Sequence, residues 1–112
     1  MYNTKNDKIM TEQTIAGVAV QVNEEGYLTD ASQWTKEVAE EIAKDLKIEL
    51  TDKHYEVINF LREKYQEGTP LTIRKVGKSG IVDIKEFYQL YPGGPLKFSS
   101  KIAGIPKPTS CV

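Results

Sequence analysis

Cys111 is the one cysteine in 112 residues, and it stands at the penultimate position. A thiolate is the nucleophile for sulfur transfer and thiol exchange, whereas a free cysteine with a pKa of about 8.5 is largely un-ionised at neutral pH. The carboxylate one residue on opposes ionisation and Lys107 favours it, so the setting describes a thiol of moderate reactivity that a partner's site would activate. Lys107, Thr109 and Ser110 give it no apolar surroundings, unlike a core cysteine. Pro106 and Pro108, one residue apart, cannot continue a helix and favour an extended path. The stretch 104–112 therefore reads as a flexible arm carrying a thiol, with Ile102, Ala103 and Ile105 as a root that can dock. A single cysteine cannot close an internal disulfide and no Cys/His cluster exists to hold zinc, so neither metal nor cofactor is expected.

Other chemistry-bearing residues are weaker candidates. His54 is the only histidine and has no serine or cysteine placed to use it, so a structural hydrogen-bonding role is the better reading. Gly77-Lys78-Ser79-Gly80 lacks the spacing of a phosphate loop. The charge is uneven: residues 1–70 hold 8 Lys/Arg against 14 Asp/Glu, and residues 71–112 hold 7 against 2. The basic half bears the thiol and would attract an acidic partner, a nucleic acid or an anionic sulfur species, with Arg74 and Lys75 as partner or anion contacts. Two short helices around the glycine turn could form a DNA-binding helix-turn-helix using Arg74, Lys75, Lys78 and Lys85. Asp83, Glu86 and Gln89 make the second a poor recognition helix.

Positioning the arm falls to one small domain. The content is 39% hydrophobic and 28% charged with a net charge of −1, ordinary for a globular chain. No apolar run is long enough to span a bilayer and the first ten residues are too polar for a signal-peptide core, so a cytoplasmic location without membrane contact is expected. A mobile leader at 1–12 precedes the domain at 13–103. Val18, Val20 and Val22 alternate, and a β-hairpin should turn at Gly17. A first helix runs from Ser32 to about Leu46 on Trp34, Val38 and Ile42. Thr51 caps a central second helix that Gly68 stops. A third spans Pro70 to Val76, a fourth opens at Asp83 with Ile84, Phe87, Tyr88 and Tyr91 inward, and Pro95 starts a fifth, to about Ala103. The class is mainly α (α+β): a small orthogonal bundle of about five helices with an N-terminal hairpin.

The segment Lys101 to Val112 resembles the signature tail of the DsrC/TusE family of sulfur-relay proteins. Tyr88-Gln89-Leu90-Tyr91-Pro92-Gly93-Gly94-Pro95 resembles its segment before the last helix. Glu24 to Leu28, Gln33-Trp34 and Thr51 to Arg62 match further, with Tyr55 where the family usually has tryptophan. The resemblance implies a helical bundle whose penultimate cysteine, here Cys111, carries a persulfide sulfur, with Lys101, Pro106, Lys107 and Pro108 positioning the arm. It also implies an upstream persulfide donor protein and a downstream acceptor, either a tRNA-thiolation relay or sulfite reductase. DsrC proteins carry a second cysteine eleven residues before the penultimate one. Here that position is Ser100, which excludes an internal disulfide or trisulfide and points to a single-cysteine relay; the alternative is a non-catalytic binding module, either a sulfite-reductase-associated DsrC paralogue or the helix-turn-helix regulator.

Overall fold

A computed structural model describes residues 11–108. Cys111 and most of the expected leader lie outside the described residues. Strands β1 (Thr11–Ile15) and β2 (Val18–Val22) pair antiparallel with Ile15 opposite Val18. Ala16 and Gly17 both take positive φ, 53° and 78°, the left-handed pair that a two-residue hairpin turn matches to strand twist. Thr11 and Glu12, assigned to the leader, are already in β1. Val20 and Val22 are buried, and Tyr27 and Leu28 return to the core, Leu28 bridging Val22.

The first helix differs from expectation. The Asp30 carboxylate accepts the Ser32 N–H and starts a single 3-10 turn over Ala31–Gln33, after which Trp34 is extended at ψ 141°. Helix α1 (Lys36–Asp45) begins only where the Thr35 hydroxyl accepts the Val38 N–H at 3.1 Å. Two competing caps five residues apart thus keep Trp34 out of the helix. Helix α2 (Asp52–Glu67) begins at Thr51 as expected and ends at Gly68, φ 80°. Helix α3 (Ile73–Gly77) starts late, at Thr72 instead of Pro70, because the Thr72 hydroxyl takes the Lys75 N–H and the preceding extended chain buries Leu71. Helix α4 (Ile84–Leu90) is capped by Asp83, and α5 (Pro95–Ile102) starts on its proline. Of the residues expected inside along α4, Phe87 and Tyr91 are wholly buried, but Ile84 and Tyr88 are 45% and 49% exposed. So short a helix buries one stripe, and Phe87 and Tyr91 already define it.

Helix α5 packs on α1 and α2, and α3 on α4, around a core that includes Val38, Ile58, Leu61, Phe87, Leu96 and Ile102. His54 ties two of these parts together. Its Nδ1 accepts the Thr51 N–H at 3.0 Å, and its Nε2 lies 2.7 Å from the Leu90 carbonyl oxygen, which assigns the proton to Nε2. The Tyr91 ring meets the imidazole edge-on, centroids 4.9 Å apart, and its hydroxyl donates to the His54 carbonyl at 3.1 Å. Burial raises the Tyr91 phenol pKa, so that proton stays in place. The structural role expected for His54 is what its two partners describe.

Loss of this clip is measurable. Thr51→Ala should lower stability by about 1 kcal/mol and His54→Ala by roughly 2–3 kcal/mol, the second leaving both a cavity and an unmet carbonyl. Urea unfolding checks the order, and a His54→Ala variant as stable as its parent would contradict it.

Candidate functional site

The end of α5 is where the body passes into the segment that leads to the thiol. An α-helix leaves its last four carbonyls without intrahelical donors. Here all four are met. Ala103 is the C-cap, Gly104 follows at φ 72°, the Gly104 N–H donates to the Lys101 carbonyl at 3.2 Å and the Ile105 N–H to the Ser100 carbonyl at 3.3 Å. These two bonds are a Schellman motif, which reverses the chain direction at a left-handed glycine. The other two carbonyls are taken by distant side chains. The Trp34 indole N–H donates to the Ile102 carbonyl at 2.8 Å, and Arg62 Nη1 donates to the Ala103 carbonyl at 2.8 Å. Arg62 Nη2 reaches the Ala31 carbonyl at 3.2 Å, and its guanidinium stacks on the Trp34 ring at 4.3 Å from the centroid. Burial lowers the Arg62 pKa from the usual arginine value.

Trp34 also explains the glycine. A Cβ at Gly104 would overlap the Trp34 side chain, so the indole lies where only a glycine backbone can pass. Ile105 is buried beyond the turn, with Pro106 and Pro108 half-buried and Lys107 exposed. The body thus holds the chain through Ile105, two residues into the expected arm.

The sequence-predicted positioning residues divide. Lys107 forms an ion pair with Glu25, Nζ to Oε1 3.0 Å, tying the segment to the turn before Tyr27. Lys101 Nζ lies 5.3 Å from the Tyr27 ring centroid. Its pKa is lowered, first by burial and then by Lys97, with Glu25 opposing. Ser100 is wholly buried in α5, and its hydroxyl finds no hydrogen-bond partner among the described residues. Arg74 and Lys75 are not with this group. They line a separate open groove of about 620 Å³ with Lys64, Lys78 and Phe60. Phe60 and Lys64 are each two positions from Arg62 along α2, which puts them on the other side of that helix.

Arg62 went unread as a site residue. Its signal was its place one position after Leu61 and four after Ile58, an arginine at the border of the buried stripe. Trp34 was read as helix core, and no local pattern announces a bond to a residue 68 positions away. Among the described residues no helix is long and apolar enough to cross a membrane.

The chain matches the family model described as "DsrC like protein" over residues 14–112. It is 39% identical over 106 residues to the "Sulfurtransferase TusE homolog" of Haemophilus influenzae, covering 88% of this chain and 97% of that protein. It is 44% identical over 101 residues to "Sulfurtransferase TusE" of Buchnera aphidicola subsp. Schizaphis graminum, covering 83% and 89%. Among solved structures, the NMR structure of Allochromatium vinosum DsrC superposes with a TM-score of 0.76 at 38% identity, covering 93% of this chain and all of that one. The oxidized gamma-subunit of the dissimilatory sulfite reductase (DsrC) from Archaeoglobus fulgidus gives 0.75 at 35% identity, covering 91% of this chain and 100% of that one. The class is therefore the mainly α fold with an N-terminal hairpin seen in those proteins. The chain belongs to the DsrC-like family.

Gly104→Ala should destabilise the protein by about 2–4 kcal/mol, since it adds left-handed strain to an overlap with Trp34. Chemical unfolding gives the value, and a change within about 0.5 kcal/mol would mean that the indole moves aside at little cost. Ser100→Ala should leave stability unchanged or raise it by about 1 kcal/mol, because it removes a buried hydroxyl that has no partner among the described residues. A loss above about 1 kcal/mol in the same assay would show that this hydroxyl is hydrogen-bonded after all.

Proposed function

We propose that this protein is a cytoplasmic sulfur carrier in which Cys111 accepts a persulfide sulfur from a donor protein and yields it to an acceptor thiol. The observation that carries this reading is the family match, which runs through residue 112 and so includes the one cysteine in the chain. The relatives printed as sulfurtransferases support the reaction class. The comparisons do not favour a DNA-binding regulator, and α3, with only five residues, makes a poor half of a helix-turn-helix.

The chemistry needs one nucleophile and no change of oxidation state overall. The Cys111 thiolate attacks the outer sulfur of a donor R–S–SH. The donor S–S bond breaks, an S–S bond to Cys111 forms, and the donor leaves as R–S⁻ while the proton stays on the terminal sulfur. An acceptor thiolate then attacks that sulfur and releases the Cys111 thiolate. Ser100 cannot take part in such an exchange, so the sulfur passes to another molecule. The buried turn at Gly104 and the Lys107–Glu25 pair supply a fixed starting point for the segment leading to the thiol.

Incubation with a protein persulfide donor, followed by intact-mass measurement, should add one sulfur atom to the parent and none to Cys111→Ala. Reduction should remove it. A parent that gains no sulfur, or a Cys111→Ala variant that gains as much, defeats the proposal.

A further inference from the structure

The groove that holds Arg74 and Lys75 has no part in the root of the thiol segment, yet it is the most concentrated basic feature of the described residues. Lys64 enters it from α2 and Arg74, Lys75 and Lys78 from α3 and its C-cap. Arg74, Lys75 and Lys78 are exposed, and Lys64 has one exposed partner, Glu67, at 3.4 Å. Three positive charges therefore face solvent along about one turn of helix. Beside them stands an apolar pair. Only three large hydrophobic side chains among the described residues are more than two-fifths exposed, and two of these, Ile84 and Tyr88, are one turn apart on the same face of α4.

Gly77 joins the two features. A Cβ there would lie 2.5 Å from Ile84 Cγ1, so the absent side chain lets the first turn of α4 rest against α3. Gly77 and Arg74 are three positions apart and adjacent on the helix surface. The surface therefore runs from Tyr88 and Ile84 across Gly77 to Arg74, Lys78 and Lys75, and into the groove.

We propose that this surface docks an acidic, amphipathic segment of a partner protein, with an apolar side chain on Ile84 and Tyr88 and carboxylates among Lys64, Arg74, Lys75 and Lys78. A nucleic acid would use the cations but has no use for an exposed isoleucine. Tyrosine and arginine are the side chains that concentrate binding energy between proteins, and Tyr88 and Arg74 supply both here. The surface lies across α2 from Arg62, so a partner held here leaves the Trp34–Arg62 turn uncovered. This inference goes beyond the sulfur-carrier reading and does not depend on it.

The ¹⁵N-labelled full chain would be titrated with a synthetic peptide of alternating Glu and Leu, about twelve residues long, enough for an amphipathic anchor. Parallel titrations would use a Glu-only peptide, a single-stranded RNA and a duplex DNA of matched charge. Amide shifts should cluster at the six named residues with the Glu/Leu peptide. Lys75→Gln with Lys78→Gln, and separately Tyr88→Ser, all at exposed positions, should each weaken binding roughly tenfold, and added salt should weaken it further. Cys111→Ala should bind like the parent, which separates this test from the sulfur-transfer assay. Tighter binding of RNA or DNA than of the peptide would make the surface a phosphate site and overturn the proposal, and a Tyr88→Ser variant that binds the peptide unchanged would overturn it by removing the apolar anchor. Absence of peptide-induced shifts at these residues overturns it as well.

Discussion

Four carbonyls at the end of one helix organise the molecule. Helix α5 is eight residues long, too short to form in isolation, and its last turn would be open to water if nothing met its acceptors. Two backbone N–H groups beyond the helix meet half of them, which requires the left-handed Gly104. Trp34 and Arg62 meet the rest, which requires two other segments to arrive at the same place. The bond from Arg62 is charge-assisted and half-buried, so removing its acceptor geometry costs more than an ordinary surface contact. The turn that leads to the thiol therefore depends on three separate segments at once.

Each contributor is itself fixed by something local. Trp34 is kept extended between two caps, Asp30 before it and Thr35 after it. Arg62 sits on α2, the longest helix, whose first turn is closed by Thr51 and His54 and whose last turn is closed by Gly68. His54 in turn holds Leu90, and Tyr91 holds His54, so the end of α4 is tied to the start of α2. Helix α5 begins four residues after Tyr91, on Pro95. The clip at His54 and the capped end of α5 are thus the two ends of one load path, α2 to α4 to α5 and back to α2 through Arg62.

This division explains what could be read from the sequence. Thr51, Gly68, Asp83 and Pro95 act within three or four residues of themselves, and the helix boundaries they set were legible. Thr72 and Thr35 act just as locally, but each competed with an earlier plausible start, Pro70 in one case and Ser32 in the other. The outcome turned on burying Leu71 and freeing Trp34, which are tertiary matters. Ile84 and Tyr88 were read inward because their spacing from Phe87 and Tyr91 fits a helix period, though a seven-residue helix has room for only one buried stripe. The thiol itself lies outside the described residues, and the side chains that hold the turn before it were not legible. Trp34 and Arg62 find their acceptors 68 and 41 positions away, beyond any local pattern.

The same geometry bears on why the chain can work with one cysteine. Ser100 lies in the last turn of α5 and its carbonyl accepts the Ile105 N–H, so it shares its backbone with the motif that turns the chain at Gly104. Its side chain is buried with a hydroxyl that gains no hydrogen bond from the described residues. A thiol is the weaker hydrogen-bonding group and loses less on such burial, so the site is chemically better suited to cysteine than to serine. Serine at this position therefore costs slightly more on burial than a thiol would, and it leaves Cys111 as the one thiol in the sequence. With one cysteine in the sequence, thiol exchange within the chain has no second partner.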